Sequence, residues 1–240
     1  MIIKSLELEN FRNYKNLNIV FDKGVNILYG DNAQGKTNIL EAIYVSATTK
    51  SHKGSKDKEI INFDSEEAHI KTLLDKEGLE RRVDMHLRKS KSKGIAIDKV
   101  RIKKAAELLG LLNVVFFSPE DLSIIKDAPA IRRRFMDMEL CQLDQSYLYD
   151  LNQYNKVINQ RNKLLKEIYF NNDYKEMLGI WDMQLVSFGK KIIKRRAQFI
   201  EELNAIINEI HSKLSGGKEN MLIKYMPYCQ EDDLERLLNN

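Results

Sequence analysis

The sequence predicts an α/β fold in which a glycine-rich loop joins a strand to a helix, and three observations support this prediction. Residues 30–37 read GDNAQGKT, which matches the pattern GxxxxGK followed by Ser or Thr at every fixed position. The apolar residues 25–29 run directly into this loop and are typical of a short strand. Residues 38–48 follow it with apolar side chains at helical spacing. This order of elements is that of a P-loop, which binds the phosphates of a nucleoside triphosphate.

Each residue type in the loop suits a task in phosphate binding. Gly30 and Gly35 allow a tight turn, after which successive backbone N–H groups point inward at an anion. Lys36 supplies a compact cation for the β- and γ-phosphates, and the Thr37 hydroxyl is a suitable ligand for Mg²⁺. We therefore expect a purine nucleoside triphosphate with Mg²⁺, whereas the alternative is a plain glycine turn into a helix. The remaining loop residues expected to bind the nucleotide are Asp31, Asn32, Ala33 and Gln34.

Length and composition indicate a globular protein. The chain has 240 residues and is 43% hydrophobic, enough to bury a core without disulfides. Cys141 and Cys229 are isolated, and we expect two free thiols in a reducing cytoplasm and no zinc site. The N-terminus does not resemble a signal peptide, and no apolar run approaches the ~18 residues of a membrane helix. We therefore expect a cytoplasmic protein with no membrane partner.

Positive charge is concentrated in three runs, although the net charge is only +4. Residues 88–104 hold eight basic residues against the single acid Asp98, and the other runs are 132–134 and 190–196. Such runs bind polyanions by neutralising phosphates, but they also occur as solvated faces without a partner. The charge pattern by itself leaves both interpretations open.

Further strands are expected on both sides of the loop. Residues 3–8 and 17–21 have strand patterns, and residues 67–75 and 79–88 predict a hairpin with its turn at Glu77-Gly78. Residues 94–98 resemble another strand, and residues 101–109 predict a helix. The continuous apolar run 114–117 is typical of a strand that is buried on both faces.

The second half of the chain predicts long helices. From Pro129 to about Leu214 it has no further proline and few glycines, and apolar residues recur every three or four positions. Two helices joined near residues 171–173 fit this pattern, and an antiparallel hairpin is the expected arrangement. A strand at 222–225 and a short final helix are expected to follow.

Five segments together resemble the RecF family of SMC/ABC-type head ATPases, over essentially all 240 residues. The first two are the start LELENFRNY and the P-loop with Asn38 after its threonine. The other three are the segments TKSHK, FSPEDL and PAIRRRFMD, which begin at Thr49, Phe117 and Pro129.

This resemblance implies an α/β P-loop NTPase of ABC/SMC head type, with a mixed sheet lobe and an inserted helical lobe. The implied division is a sheet lobe at 1–118, a helical lobe at 119–215 and a return to the sheet lobe at 216–240. The implied function is that of an ATP-binding protein of DNA replication and recombinational repair. Such a protein binds single-stranded or gapped DNA, supports mediator loading and the SOS response, and uses ATP with Mg²⁺. Its implied partners are DNA, recombination mediator proteins and a second copy in an ATP-dependent homodimer.

The resemblance also implies roles for residues outside the loop. Arg12 and Asn13 are expected to contact the nucleotide, as is Asn38. Glu120 and Asp121 lie where a loop would couple the γ-phosphate to the helical lobe, although Ser118-Pro119 also predicts a helix N-cap there. Residues 132–134 would contact DNA or a partner subunit, or would form salt bridges, and both interpretations remain open.

The sequence departs from the family pattern in two respects. Lys53 stands where arginine is more usual, and the chain lacks the portion that holds the family's signature motif and acidic Walker B strand. Residues 214–219 read LSGGKE and imitate the signature, but an apolar strand-like segment follows at once. We interpret Leu214 as the end of a helix with Gly216 as its C-cap. We therefore expect a fragment of a longer protein that hydrolyses ATP poorly, and its catalytic residues remain unknown.

Two other functional classes are compatible with a P-loop. A metabolic enzyme such as a nucleotide kinase would need an arginine-rich lid soon after the loop, and it would not explain the long helices. An interaction module would use the helices to dock a partner and ATP only as a structural ligand. DNA binding that depends on the basic residues 88–104 would argue against this last class.

Overall fold

The computed structural model describes residues 1–170, 172–229 and 233–238. The chain divides into two compact units, Met1–Arg132 and Arg133–Asn240. The three-part division at residues 118 and 215 remains a prediction.

The first unit is built on one six-stranded antiparallel sheet with the strand order β2-β1-β3-β4-β5-β6. Its strands are β1 (Ile2–Phe11), β2 (Tyr14–Val20), β3 (Glu67–Lys76), β4 (Leu79–Arg88), β5 (Gly94–Ile97) and β6 (Val100–Arg101). The predicted hairpin is confirmed, because the turn between β3 and β4 is Glu77-Gly78. Both turn residues have positive φ, 57° and 82°, as a two-residue hairpin turn that matches the strand twist requires.

One face of this sheet carries the core, because apolar and polar side chains alternate along the strands. Alternate residues of β3 and β4 are fully buried, whereas the residues between them are only partly buried. Helix α1 (Lys36–Thr48) contributes Ile39, Ala42 and Val45 to the same core. The sheet therefore holds the helix that begins at the P-loop.

Two predicted strands belong to no sheet in the part of the chain that the structure describes. Residues 25–29 leave Val25, Ile27 and Tyr29 exposed at 89%, 77% and 91%. In residues 114–117 exposure alternates, and Val115 and Phe117 are 90% and 76% exposed. The prediction of a strand buried on both faces was therefore wrong. A strand exists only where a neighbour pairs with its backbone, and no described strand lies beside either segment.

The predicted helix at 101–109 was also wrong. Arg101 belongs to β6, which pairs Arg101 with Ala96 and Val100 with Ile97 of β5. The intervening turn, Asp98-Lys99, has positive φ at both positions, so the chain reverses here into a tight hairpin. Only Ala105–Glu107 forms a short 3₁₀ turn, because the hairpin outweighs the local helical preference.

The remaining helices follow Pro119–Leu122, which forms a 3₁₀ turn. They are α2 (Ser123–Lys126), α3 (Pro129–Leu143), α4 (Gln145–Ile168), α5 (Leu178–Ser215) and α6 (Leu234–Leu238), with a further 3₁₀ segment at Asn172–Met177. The predicted junction at 171–173 falls between α4 and α5, although Asn171 lies outside the described residues. Within the described ranges, no helix has both the length and the apolar character needed to cross a bilayer.

Helices α4 and α5 pack as the predicted antiparallel hairpin, and the order of their ion pairs shows this. The start of α4 faces the middle of α5, where Asp150 lies 3.5 Å from Lys191. Further along α4, Arg161 lies 2.5 Å from Asp182, near the beginning of α5. The side chain of Asp144 caps α4 by accepting hydrogen bonds from the backbone N–H groups of Ser146 and Tyr147.

A buried polar group joins α3, α4 and α5. Arg196 of α5 donates to both carboxylate oxygens of Asp137 on α3, at 2.7 Å and 2.9 Å. Tyr147 of α4 donates to Asp137 at 2.5 Å and accepts from Arg196 Nε at 2.9 Å. Burial, above all, raises the pKa of the Tyr147 phenol, which therefore remains a neutral donor. Because the two charges are paired and share hydrogen bonds with Tyr147, this group can lie between the helices.

Helix α5 ends as the sequence predicted. Gly216 is its C-cap in the left-handed region at φ 65°, and Gly217 N–H donates to Ser212 O at 2.8 Å. The residues LSGGKE thus terminate a helix, and the interpretation of Gly216 as a cap is confirmed.

The strand predicted at 222–225 does not form within the described residues. This segment lies along α5, where the Asn204 amide donates to Ile223 O at 2.8 Å and accepts from Ile223 N–H at 2.9 Å. A side chain of the helix thus satisfies the backbone groups that a neighbouring strand would otherwise pair.

Replacing Arg196 with Met should destabilise the helical unit by about 1–3 kcal/mol, since it leaves the half-buried Asp137 carboxylate without its cation. The single tryptophan, Trp181, lies on α5 and reports unfolding of this unit by its fluorescence in urea. The exposed neighbour Lys194→Met is the matched control and should change stability by less than about 0.5 kcal/mol. Equal midpoints for the two variants would contradict the structural role of Arg196.

Candidate functional site

The P-loop is a sequence of bends and turns that leads into α1. Gly30, Ala33 and Gly35 have φ values of 141°, 64° and 101°. The first and last of these are conformations that glycine adopts at little cost. Residues 30–34 are exposed and Gly35 is buried. The loop therefore presents its backbone outward while its last glycine is held against the protein.

The N-terminus of α1 is open to an anion. The N–H groups of Asn38 and Ile39 donate to Gly35 O at 2.8 Å and 3.2 Å. No side chain caps this helix and its first turn holds no acidic residue. The first N–H groups and the positive end of the helix dipole are thus available to a phosphate.

Lys36 lies folded over its own loop. Its Nζ donates to the carbonyl oxygens of Gly30 and Asp31, both at 2.6 Å. A phosphate is a stronger acceptor than a neutral carbonyl, so the ammonium group can turn to a bound anion without leaving the loop. Thr37, next in the chain, is exposed in the first turn of α1, where its hydroxyl is accessible to a metal ion.

The turn between β1 and β2 supports the P-loop through hydrogen bonds to its backbone. The Asn13 amide donates to Gln34 O at 3.1 Å, and the Tyr14 hydroxyl donates to the same oxygen at 3.2 Å. Asn38 in turn donates to Asn13 Oδ1 at 2.8 Å. The predicted site residues Asn13, Gln34 and Asn38 are thus brought together by contacts to one another.

Gly35 is required by this support as well as by its φ angle. A Cβ atom at this position would lie 2.7 Å from Asn13 Oδ1 and 2.7 Å from the Tyr14 hydroxyl. Glycine therefore lets the β1–β2 turn contact the loop backbone directly. This second reason for the glycine is not visible in the motif itself.

Arg12 lies in the same turn, but its guanidinium group is directed at α1. It forms two hydrogen bonds to the Glu41 carboxylate, at 2.6 Å and 2.8 Å. It also donates to Ser55 Oγ and to Glu59 O, both at 2.9 Å. Arg12 thus anchors the helix that follows the loop, and a nucleotide contact by this residue remains a prediction.

Glu41 is a fully buried carboxylate in the middle of α1. Burial by itself would raise its pKa, but the hydrogen bonds from Arg12 and Ser51, together with the charge of Arg12, outweigh it. The net result is a pKa below the ordinary value, so that Glu41 is ionised and paired. Its signal in the sequence is an acid on the apolar side of a helix, between Ile39 and Ala42, which requires a buried partner.

The segment after α1 packs on the same region. Ser51 donates to Glu41 at 2.5 Å, and the His52 ring packs against Phe116 with ring centroids 4.2 Å apart.

Around Ser118 the predicted N-cap is confirmed, because Asp121 accepts from Ser118 N–H at 2.6 Å and from its hydroxyl at 3.0 Å. A coupling role for Glu120 and Asp121 remains a prediction.

The basic residues 88–104 divide into two groups. Three of them have partners within the unit: Arg88 donates to Ser92 O, Lys89 to Phe63 O, and Lys93 to Thr49 O and Asp57. The others are exposed and have no side-chain partner among the residues described, and we call them the cationic patch. They are Lys91, Lys99, Arg101, Lys103 and Lys104.

Part of the other two basic runs is occupied by internal contacts. Arg132 donates to the carbonyl oxygens of Ile124 and Asp127, both at 2.9 Å, whereas Arg133 and Arg134 are exposed. In the third run, Lys191, Arg195 and Arg196 pair with acids of the helical unit. Much of this charge therefore stabilises the helices.

Comparison with known proteins places this geometry in a family. The family model described as "AAA domain" matches residues 5–239. The "DNA replication and repair protein RecF" of Agathobacter rectalis is 61% identical over 95% of this chain and 63% of its own length. The protein of the same name from Lachnospira eligens is 57% identical over 100% of this chain and 67% of its own length.

Solved structures of RecF give the same match as the sequence relatives. A structure described as "recombination mediator protein RecF-ATP in RecFOR pathway" matches with a TM-score of 0.90 and 32% identity, over 99% of this chain and 66% of that one. Its ATPrS counterpart matches with a TM-score of 0.88 and 34% identity. The chain spans about two thirds of the length of these relatives. It has the α/β fold of a P-loop ATPase head with a sheet lobe and helices, and it belongs to the RecF family of DNA replication and repair proteins.

Proposed function

We propose that this chain binds ATP with Mg²⁺ at its P-loop and serves DNA replication and recombinational repair as part of a RecF-type ATPase. One observation carries the proposal: the P-loop is braced from behind by Asn13 and Tyr14 and opens outward at the N-terminus of α1. The solved relatives described with ATP and ATPrS support the choice of nucleotide.

The phosphates are held by the residues of the loop and the first turn of α1. The N–H groups of residues 31–37 would donate to the phosphate oxygens, and Lys36 would leave Gly30 O and Asp31 O to bind the β- and γ-phosphates. Thr37 would ligate Mg²⁺, which would supply positive charge to the phosphates. Asn13 and Asn38 hold the loop in place for this, and Arg12 holds the helix.

We assign no catalytic base to this chain. Glu41 is the first glutamate after the loop, but Arg12 and Ser51 occupy its carboxylate and keep it ionised and buried. Because it is fully buried and held by these partners, it is not accessible to an attacking water molecule. Hydrolysis depends on groups that a second subunit and the remaining length of RecF-type proteins supply, so an ATP-dependent homodimer is the proposed active form.

The cationic patch is the proposed contact with DNA. Its five residues are exposed and have no competing acid as a partner in the described part of the chain, so their charge is available to phosphates. Single-stranded or gapped duplex DNA is the proposed substrate, and mediator proteins of recombination are the proposed partners, with a role in the SOS response. A role in DNA repair and the two free thiols are both consistent with the proposed cytoplasmic location.

A nucleotide kinase is not supported by the chain. Such an enzyme needs arginines soon after the loop to hold its second substrate. From Asn38 to Glu80 the sequence has no arginine, and the first one, Arg81, pairs with Asp98.

Replacing Lys36 with Ala should weaken ATP–Mg²⁺ binding by at least about 100-fold. The variant loses charge-assisted hydrogen bonds to two phosphates, each worth about 1.5–3 kcal/mol. Titration calorimetry of the full chain measures this. Lys15→Ala removes an exposed lysine from β2 and is the matched control, which should bind like the wild type. Undiminished affinity of Lys36→Ala would refute the P-loop assignment.

Acid should weaken α1 in the wild type more than in a Glu41→Gln variant. The folded pKa of Glu41 is lowered, so its stabilising contribution is fully present above the ordinary value of 4.5 and is lost as the pH falls through the folded value. Hydrogen exchange of peptides from α1, corrected for the intrinsic rate at each pH between about 7 and 3, measures the opening free energy.

The control for this experiment is Glu77→Gln in the exposed β3–β4 turn, which should follow the wild-type profile. If Glu41→Gln also follows the wild-type profile, the ion pair with Arg12 does not stabilise the helix.

Removing Arg101 and Lys103 together should make DNA binding less sensitive to salt. The slope of log K against log salt should fall in magnitude by about 1.8, because each phosphate contact contributes about 0.9 on duplex DNA. Fluorescence anisotropy with a gapped duplex at several salt concentrations measures the slope.

Lys156→Ala with Lys166→Ala, two exposed lysines of α4, is the matched control and should leave the slope unchanged. If instead the first pair leaves the slope unchanged, the cationic patch does not contact phosphates. An interaction module would then explain the exposed charges better.

A further inference from the structure

The sheet face opposite the core carries a group of metal-ligating side chains that nucleotide binding does not use. Glu67 and His69 lie two residues apart on β3 and therefore project from the same face. His86 of β4 is the direct cross-strand partner of His69. The two imidazole rings stack with centroids 4.1 Å apart, and His86 Nε2 lies 2.6 Å from the Glu67 carboxylate.

We propose that Glu67, His69 and His86 form a zinc site on this face of the sheet. One ligand atom from each of the three residues lies within 4.8 Å of the other two. Two ligands of a tetrahedral zinc ion are about 3.3–3.5 Å apart, given bonds of about 2.0–2.1 Å. Small side-chain rotations therefore suffice to close the site. Two imidazole nitrogens and one carboxylate are also a donor set that Zn²⁺ commonly has.

The surroundings leave room for the ion and for a fourth ligand. Glu67 is exposed and the two histidines are half-buried at the edge of a hollow of about 820 Å³ on this face. Glu9 of β1 is the cross-strand partner of His69 on its other side, and it is exposed. A carboxylate from Glu9 or a water molecule can complete the coordination, and with Glu9 the ion would join three strands.

The neighbouring cation Arg88 does not pair with the proposed ligands. Arg88 stands opposite Glu67 across the strands, but its Nη2 donates to Ser92 O at 3.2 Å and thereby turns to the β4–β5 loop. No ion pair between Arg88 and Glu67 occurs in the described structure. The expectation of no zinc site rested on cysteine spacing, whereas the proposed site uses histidines that are 17 residues apart in sequence but adjacent in the sheet.

Calorimetric titration of the tag-free, chelator-treated chain with ZnCl₂ tests the site. Because thiolates also bind zinc, the experiment uses a Cys141→Ser, Cys229→Ser background. We expect one ion per chain with a micromolar or tighter Kd. His69→Ala and His86→Ala should each weaken zinc binding by more than about 100-fold. This loss exceeds the one that is typical when a residue only hydrogen-bonds to a metal ligand. His211→Ala on α5 is the matched control and should retain full affinity.

Thermal unfolding provides a readout that separates lost ligation from lost folding. Zinc at about 100 times its Kd should raise the Tm of the background protein by about 5–10 °C and that of His86→Ala by no more than about 1–2 °C. Each shift is measured from the variant's own metal-free Tm, because His86→Ala also loses the contacts of His86 with Glu67 and His69. Absence of zinc binding, or binding that survives loss of His69 and His86, would overturn the proposal.

Discussion

The ion pair between Arg12 and Glu41 is the contact on which the nucleotide site depends. A carboxylate buried in a helix is costly without a partner, and Arg12 supplies a bidentate one. Arg12 is itself fixed, because its backbone N–H donates to Ile60 O and its carbonyl accepts from the Asn62 amide. The pair thus joins the end of β1, helix α1 and the segment after it. Since α1 begins at Lys36, the position of the P-loop follows from where this pair places the helix.

The sequence predicts a phosphate-binding role for the loop from local features alone. The glycines, Lys36 and Thr37 lie within eight consecutive residues, and their roles follow from backbone freedom and charge. The hydrogen bonds by which the β1–β2 turn supports the loop could not be predicted in this way. Asn13 and Gln34 are 21 residues apart, and nothing in either residue type shows that one donates to the carbonyl of the other. The sequence carries one sign of such a distant partner, the acid at position 41 on the apolar side of α1, and the motifs that predict the site do not include it.

The two missing strands show a second limit of sequence patterns. The apolar residues of 25–29 and 114–117 favour strands, yet several of their side chains are largely exposed in the structure. A strand, however, is a relation between two segments, and the described residues offer no neighbour to either one. The same holds at 222–225, where the Asn204 side chain takes the place of a neighbour. By contrast, β3 and β4 were predictable because a two-residue turn brings both partners together in one stretch of chain.

Charge is the property for which position in the fold matters most. The three basic runs look alike in sequence, yet Arg196 holds helices together, Lys93 fixes a loop to Asp57, and Arg101 faces solvent. A cation that already has an acid or carbonyl as a partner must break that contact to bind a phosphate, which offsets much of the gain. A cation without such a partner keeps its full charge for a ligand. As proposed, DNA binding therefore depends on the few exposed cations of the cationic patch, which lie in the same compact unit as the P-loop.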